Sequence, residues 1–152
     1  MSFRLSEEAR EYFRKIDDHS KSGTFRVLWD KYYLSLMVGL ARAKLGKETP
    51  RDQEFVTYFI DEYRDQRNEI ISLFIAIEIG RRGIPAEEPE IRKLMLELLD
   101  AESPTGLTEE GHRLMNKYAE GGFEIIRDEV AQPLEFDVFL KKYYDAFVKQ
   151  AA

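Results

Sequence analysis

Residues 103–126, "SPTGLTEEGHRLMNKYAEGGFEII", decide how the rest of the chain is read. A glycine pair inside an apolar repeat cradles a phosphate, ends a helix, or admits a second backbone at close range. Dinucleotide and P-loop motifs need a preceding strand, spaced glycines and, in the second case, a lysine followed by Ser or Thr; "AEGGFEII" has none of these. Gly121 after Glu120 also fits a helix end. The periodicity favours continuation instead. Leu114, Met115, Tyr118, Gly121, Gly122 and Ile125 recur at three- and four-residue steps, so an unbroken helix turns both glycines toward the core. Each glycine costs about 1 kcal/mol of helix propensity relative to alanine, and close approach of a neighbouring helix offsets that. The stretch is therefore read as a packing joint, a close crossing or a kink, in a helix that starts near Thr108, with Gly121, Gly122 and Tyr118 at the contact.

The same period organises the chain on both sides. Leu5, Ala9, Tyr12, Phe13 and Ile16, with Ser6 as N-cap, predict a first helix over 6–17. Phe25, Leu28, Trp29, Tyr32, Tyr33, Leu36, Met37 and Leu40 predict a second. Val27, Leu34 and Val38 lie off that stripe, so this helix is wrapped on several sides and central, ending near "LGKETP" with Gly46 as cap. Phe55, Tyr58 and Phe59 suggest a short helix over 51–60. A fourth spans 61–82 and closes on "RRGIP". Ile91, Leu94, Met95 and Leu98 mark a fifth, and Phe136, Phe139, Leu140, Tyr143 and Phe147 the last. Period-two alternation never persists, so no strand is predicted. The expectation is an all-α fold: a compact single-domain bundle of six or seven helices over 1–152, without repeats.

Composition narrows the chemistry. The chain has 152 residues, room for a real core, and no cysteine, which removes disulfides, cysteine nucleophiles and thiolate metal sites. The N-terminal "MSFRLSEEAREYF" is too charged for a signal peptide, and no apolar run is long enough to span a bilayer, so a cytoplasmic protein without membrane contact is expected. The net charge of -6 is unevenly spread. Residues 1–47 carry ten basic and six acidic side chains, a balance of +4, and residues 48–152 carry thirteen and twenty-three, a balance of -10. Such a dipole suits a nucleic-acid edge or an oppositely charged partner. Arg10, Arg14 and Lys15 on the first helix, with Lys21 and Arg26 in the following turn, form the candidate phosphate-contacting patch. The alternative is a solvated face with Glu11 and Lys15 paired at i,i+4.

Catalytic signals are sparse. Glu109 and His112 have the E-x-x-H spacing that puts carboxylate and imidazole on one helix face, but di-iron bundles need it twice plus two further glutamates. The only other histidine, His19, sits in a predicted loop. His112 is accordingly read as solvated, with Glu109 and His112 the weak candidates for a metal site, and no cofactor is expected. No G-x-S-x-G elbow is present. Glu69 and Glu78 flank the most apolar helix, where Arg64, Arg67, Arg81 and Arg82 stand ready to pair with them. Tyr32, Tyr33, Tyr143 and Tyr144 are candidate interface anchors.

Three stretches, "FRLSEEAREYFRKI", "GTFRVLWDKYYLSLMVGLA" and "RLMNKYAEGGFEII", resemble the DndE family, small helical proteins of bacterial DNA phosphorothioation (sulfur modification) systems. The resemblance covers the first 45 residues and one later patch. It implies a non-catalytic member of a DNA modification complex in phage defence, one that self-associates as a homo-oligomer, contacts other proteins of the complex, and binds DNA with preference for nicked duplex. Arg14, Lys15, Lys21 and Arg26 are the positions that would inherit DNA contact. This chain is longer, more acidic, and ends in an extra aromatic helix. Those departures leave open a helical adaptor with protein partners alone, and, in a third class, a metal-dependent enzyme built around Glu109 and His112.

Overall fold

The computed structural model describes residues 2–149 and shows a compact all-α fold with six α-helices and one small antiparallel sheet. In chain order these are β1 (Phe3–Arg4), α1 (Glu7–His19), α2 (Leu28–Ala41), β2 (Glu54–Val56), α3 (Arg67–Arg82), α4 (Glu88–Leu98), α5 (Glu109–Glu129) and α6 (Phe136–Tyr143), the last continuing as a π-helical turn over Tyr144–Val148. No helix among the described residues is long and apolar enough to cross a membrane.

α5 is the axle. It starts at Thr108, whose Oγ1 accepts from the Gly111 N–H at 3.0 Å, and it runs unbroken through Gly121 and Gly122. Most of its circumference is buried, and α2 lies along it. The contact is backbone to backbone. A Cβ on Gly122 would overlap the Ser35 carbonyl oxygen, and one on Gly39 of α2 would overlap the Tyr118 carbonyl oxygen. One turn on, Gly121 meets the Lys44 carbonyl, and the Gly46 N–H donates to the Lys117 carbonyl at 2.7 Å. Gly39 and Gly122 thus remove the side-chain layer that would otherwise hold the two helices 8–10 Å apart, and Gly46 and Gly121 do the same where the segment after α2 crosses α5.

The other helices close around this pair. α1 is capped by Ser6 Oγ on the Ala9 N–H and buries Ala9, Tyr12, Phe13 and Ile16. α3 ends at Gly83 with φ +64°, the left-handed cap after Arg81 and Arg82 that the sequence foretells. Phe13, Phe123 and Phe139 are fully buried where α1, α5 and α6 meet.

Several sequence expectations need correction. The chain start is a strand: Phe3 inserts among Trp29, Tyr32, Phe59 and His112, with ring centroids 4.7–5.4 Å away. Two residues are too few to show alternation. The predicted helix over 51–60 is instead a 3-10 turn (Arg51–Gln53) and β2, which pairs with β1. Its aromatic spacing serves another end, since Phe55 and Phe59 pack on Trp29. Two helical turns have little stability of their own, so tertiary contact decided. α3 begins at Arg67 rather than near 61, because Asp61–Tyr63 form a separate 3-10 turn pinned by the Tyr63 hydroxyl to Asp30 Oδ1 at 2.6 Å. α2 ends at Ala41 with Ala43 left-handed at φ +49°, and Gly46 is a close-approach residue, not a cap. Tyr32 and Tyr143 are buried, while Tyr33 is half-buried and Tyr144 exposed.

Candidate functional site

The five basic positions have different fates. Arg10 is drawn inward: its Nε donates to the Leu5 carbonyl at 3.1 Å and its Nη2 to the Gln53 carbonyl at 2.6 Å, tying α1 to the sheet. The expectation that Arg10 contacts phosphate is thereby corrected, because its guanidinium is taken up by carbonyls that flank β1 and β2, the Gln53 carbonyl accepting the Leu5 N–H as well. Arg14 pairs with Glu11, so Glu11 takes Arg14 rather than Lys15. Lys15, Lys21 and Arg26 are exposed and form no ion pair among the described residues. Around Lys21, however, the field is acidic. Glu135 accepts the Lys21 and Ser22 backbone N–H groups at 3.0–3.2 Å, and Ser22 Oγ donates to Asp137. The backbone N–H of Lys21, with that of Ser22, holds the Glu135 carboxyl below its ordinary value.

Glu109 and His112 do not form a site together. Glu109 is exposed and reaches Arg51 at 3.4 Å. His112 is not solvated as the sequence suggests but 3% exposed, because β1 lies across this face of α5. Its Nε2 is 2.7 Å from Thr105 Oγ1, and its Nδ1 has no partner among the described residues. Burial, with the Arg4 charge adding, pushes the imidazole down to about 4, so it is neutral at pH 7. Among the described residues no three His, Asp or Glu side chains converge as metal ligands would.

Two buried carboxylates matter more than the sequence indicates. Glu78 is fully buried in α3 and accepts from Arg81 Nε and Nη2, both at 2.8 Å, from Arg82 Nε at 2.7 Å, and from the Tyr118 hydroxyl. Burial opposes its ionisation, but the hydrogen bonds from Arg81, Tyr118 and Arg82 outweigh it and hold the carboxyl down to about 2. Arg82 also reaches Glu97 at 2.8 Å, so α3, α4 and α5 share one network. Tyr118 therefore does two jobs, its carbonyl against Gly39 and its hydroxyl on Glu78. Glu120 is 2% exposed with both oxygens unpartnered among the described residues. Burial raises its pKa; the Ser6 hydroxyl, near but not hydrogen-bonded to it, and Lys47 pull the other way, while Glu124 and Glu8 add to the rise.

Apolar grooves open on the surface of the described residues. One, of ≈480 Å³, runs between α2 and the C-terminal helix: Met37, Val38 and Ala41 form its floor, Leu73 of α3 one wall, Phe147 and Val148 the other. Arg42 sits over the Phe147 ring at 5.6 Å and pairs with Glu129 at 3.2 Å. The second, also ≈480 Å³, is bounded by Leu28, Trp29, Phe55, Val56 and Ile60, with Tyr58, Asp61 and Glu62 on its lining. Sequence periodicity missed it because it reads 51–60 as a helix, whereas the groove forms where β2 and the following turn pack beside the start of α2.

No protein-family model matches the chain, and no curated protein or solved structure matches it.

Proposed function

We propose that this chain is a non-catalytic accessory protein that acts by docking, a scaffold for partner proteins in a DNA sulfur-modification or related defence complex. The observation that carries the reading is its exposed apolar surface. Leu96, Tyr58, Tyr144 and Leu134 are each more than half exposed, at 69%, 54%, 53% and 51%. Exposed apolar side chains scattered singly are ordinary, but Tyr58 stands in an apolar groove of ≈480 Å³, and a contiguous apolar surface of that kind suits an interface. The sulfur-modification setting rests on the sequence resemblance. Mixing the chain with the proteins encoded beside it, followed by light scattering, tests the proposal: a stable complex that Tyr144→Glu or Leu96→Glu weakens supports it. A chain that stays alone in every mixture refutes it.

DNA contact is the second reading, favoured by the unpaired Lys15, Lys21 and Arg26. Binding to nicked duplex that weakens steeply with salt and is lost in Lys15→Glu/Lys21→Glu/Arg26→Glu would support it. No binding at 50 mM salt removes it.

A further inference from the structure

We propose that the groove beside β2 is a docking site for a short segment of a partner protein in which apolar side chains alternate with lysine or arginine; this rests on the docking reading above and names the partner's chemistry. The groove has an apolar wall of Leu28, Trp29, Phe55, Val56 and Ile60, and Tyr58 stands at it 54% exposed. Its size falls in the range of specific binding sites. Charge selects the occupant. The segment 48–66 that builds the groove carries six acidic residues (Glu48, Asp52, Glu54, Asp61, Glu62, Asp65) against two basic ones (Arg51, Arg64), a balance of -4. Glu48, Glu54 and Asp61 are committed to Arg113, Arg4 and Arg64. Asp52, Glu62 and Asp65 are exposed and form no ion pair among the described residues, and Glu62 lines the groove itself. An adjoining hollow of ≈320 Å³ shares Val27 and Glu62 and adds Asp30 and Arg26. Glu62 on the lining and the segment's balance of -4 outweigh the single unpaired Arg26 of the adjoining hollow, and so repel nucleic acid and attract a basic segment. Alternation then seats apolar groups on the wall and ammonium or guanidinium groups at the rim.

Trp29, the chain's single tryptophan, lines the groove but is only 1% exposed, so binding is read on the peptide. A dye-labelled peptide alternating lysine and leucine, titrated with the full chain, should gain anisotropy saturably and more weakly as salt rises. The glutamate–leucine counterpart should gain none. Tyr58→Ala and Glu62→Lys, both at exposed positions, should each weaken binding by about tenfold. Glu88→Lys/Glu90→Lys on α4, at least as large a charge change elsewhere, should alter it less than about twofold. Equal binding of the acidic peptide, an equal loss in the α4 variant, or no gain in anisotropy with the lysine–leucine peptide overturns the proposal. If complexes with neighbouring proteins form while that peptide stays unbound, this groove assignment fails and the docking function stands.

Discussion

Gly122→Ala isolates the physics of the α2–α5 crossing. Alanine is the better helix former, so propensity alone predicts a gain of about 1 kcal/mol. The added methyl, however, would lie on the Ser35 carbonyl oxygen and against the Gly39 nitrogen. Overpacking against rotatable side chains costs about 1–3 kcal/mol. Here the obstacle is backbone, which moves only if the two helices separate and the neighbouring Gly39–Tyr118 contact opens with them. The expected net loss is about 2–4 kcal/mol, a fall in Tm of about 4–16 °C for a chain of this size. Gly80→Ala is the matched control. Gly80 is also within a helix, but a Cβ there meets nothing within 4 Å, so propensity acts alone and stability rises by up to about 1 kcal/mol. Urea unfolding followed by circular dichroism and Trp29 fluorescence measures both. If Gly122→Ala is as stable as the native chain while Gly80→Ala gains, the close crossing is refuted.

Other perturbations probe the buried polar groups. Glu78→Ala strips Arg81, Arg82 and the Tyr118 hydroxyl of their shared acceptor and, with both arginines reaching solvent, is expected to cost about 2–3 kcal/mol in urea unfolding, whereas Tyr118→Phe, which removes one hydroxyl from it, costs about 1–2 kcal/mol. Because the Glu78 carboxyl is held down to about 2, its contribution is present above pH 4.5 and lost as pH falls toward 2. His112 titrates at about 4 when folded and near 6.5 when unfolded, so roughly 3 kcal/mol of stability is present above pH 6.5 and drains away between there and pH 4; the slope over that window should flatten in His112→Gln. Glu120 has the opposite sign: its raised pKa gives stability that is present below pH 4.5 and lost as pH rises. Glu120→Gln should therefore exceed the native chain in Tm at pH 8, with the difference shrinking toward pH 4, and equal Tm values across that range would contradict an unpartnered carboxyl.

Helices long enough to complete several turns were readable, and segments shaped by contact were not. The stripe in α5, the Ser6 cap of α1 and the Gly83 end of α3 are local signals, and each states its structure in a few adjacent residues. Residues 43–66 carry no such signal. Their path is set by Phe55 and Phe59 seeking Trp29, by Tyr63 seeking Asp30, and by Gly46 seeking Gly121. The helical spacing of Phe55, Tyr58 and Phe59 was an accident of composition. Among the charged groups, Glu78 with Arg81 and Arg82 was legible as an i,i+3/i,i+4 set, though its complete burial and its link to Tyr118 depend on α3 meeting α5. Arg10 looked like its neighbours Arg14 and Lys15 because nothing local announces that the Leu5 and Gln53 carbonyls lie within its reach. His112 looked solvated because the strand that covers it is two residues long.

Titrating one preparation of the full chain at 150 mM salt against nicked duplex and against the proteins encoded beside it tests the central claim most directly. Docking predicts that at least one of those proteins is bound at micromolar concentration or below, and far more tightly than the duplex. Tight duplex binding with no protein partner would contradict it.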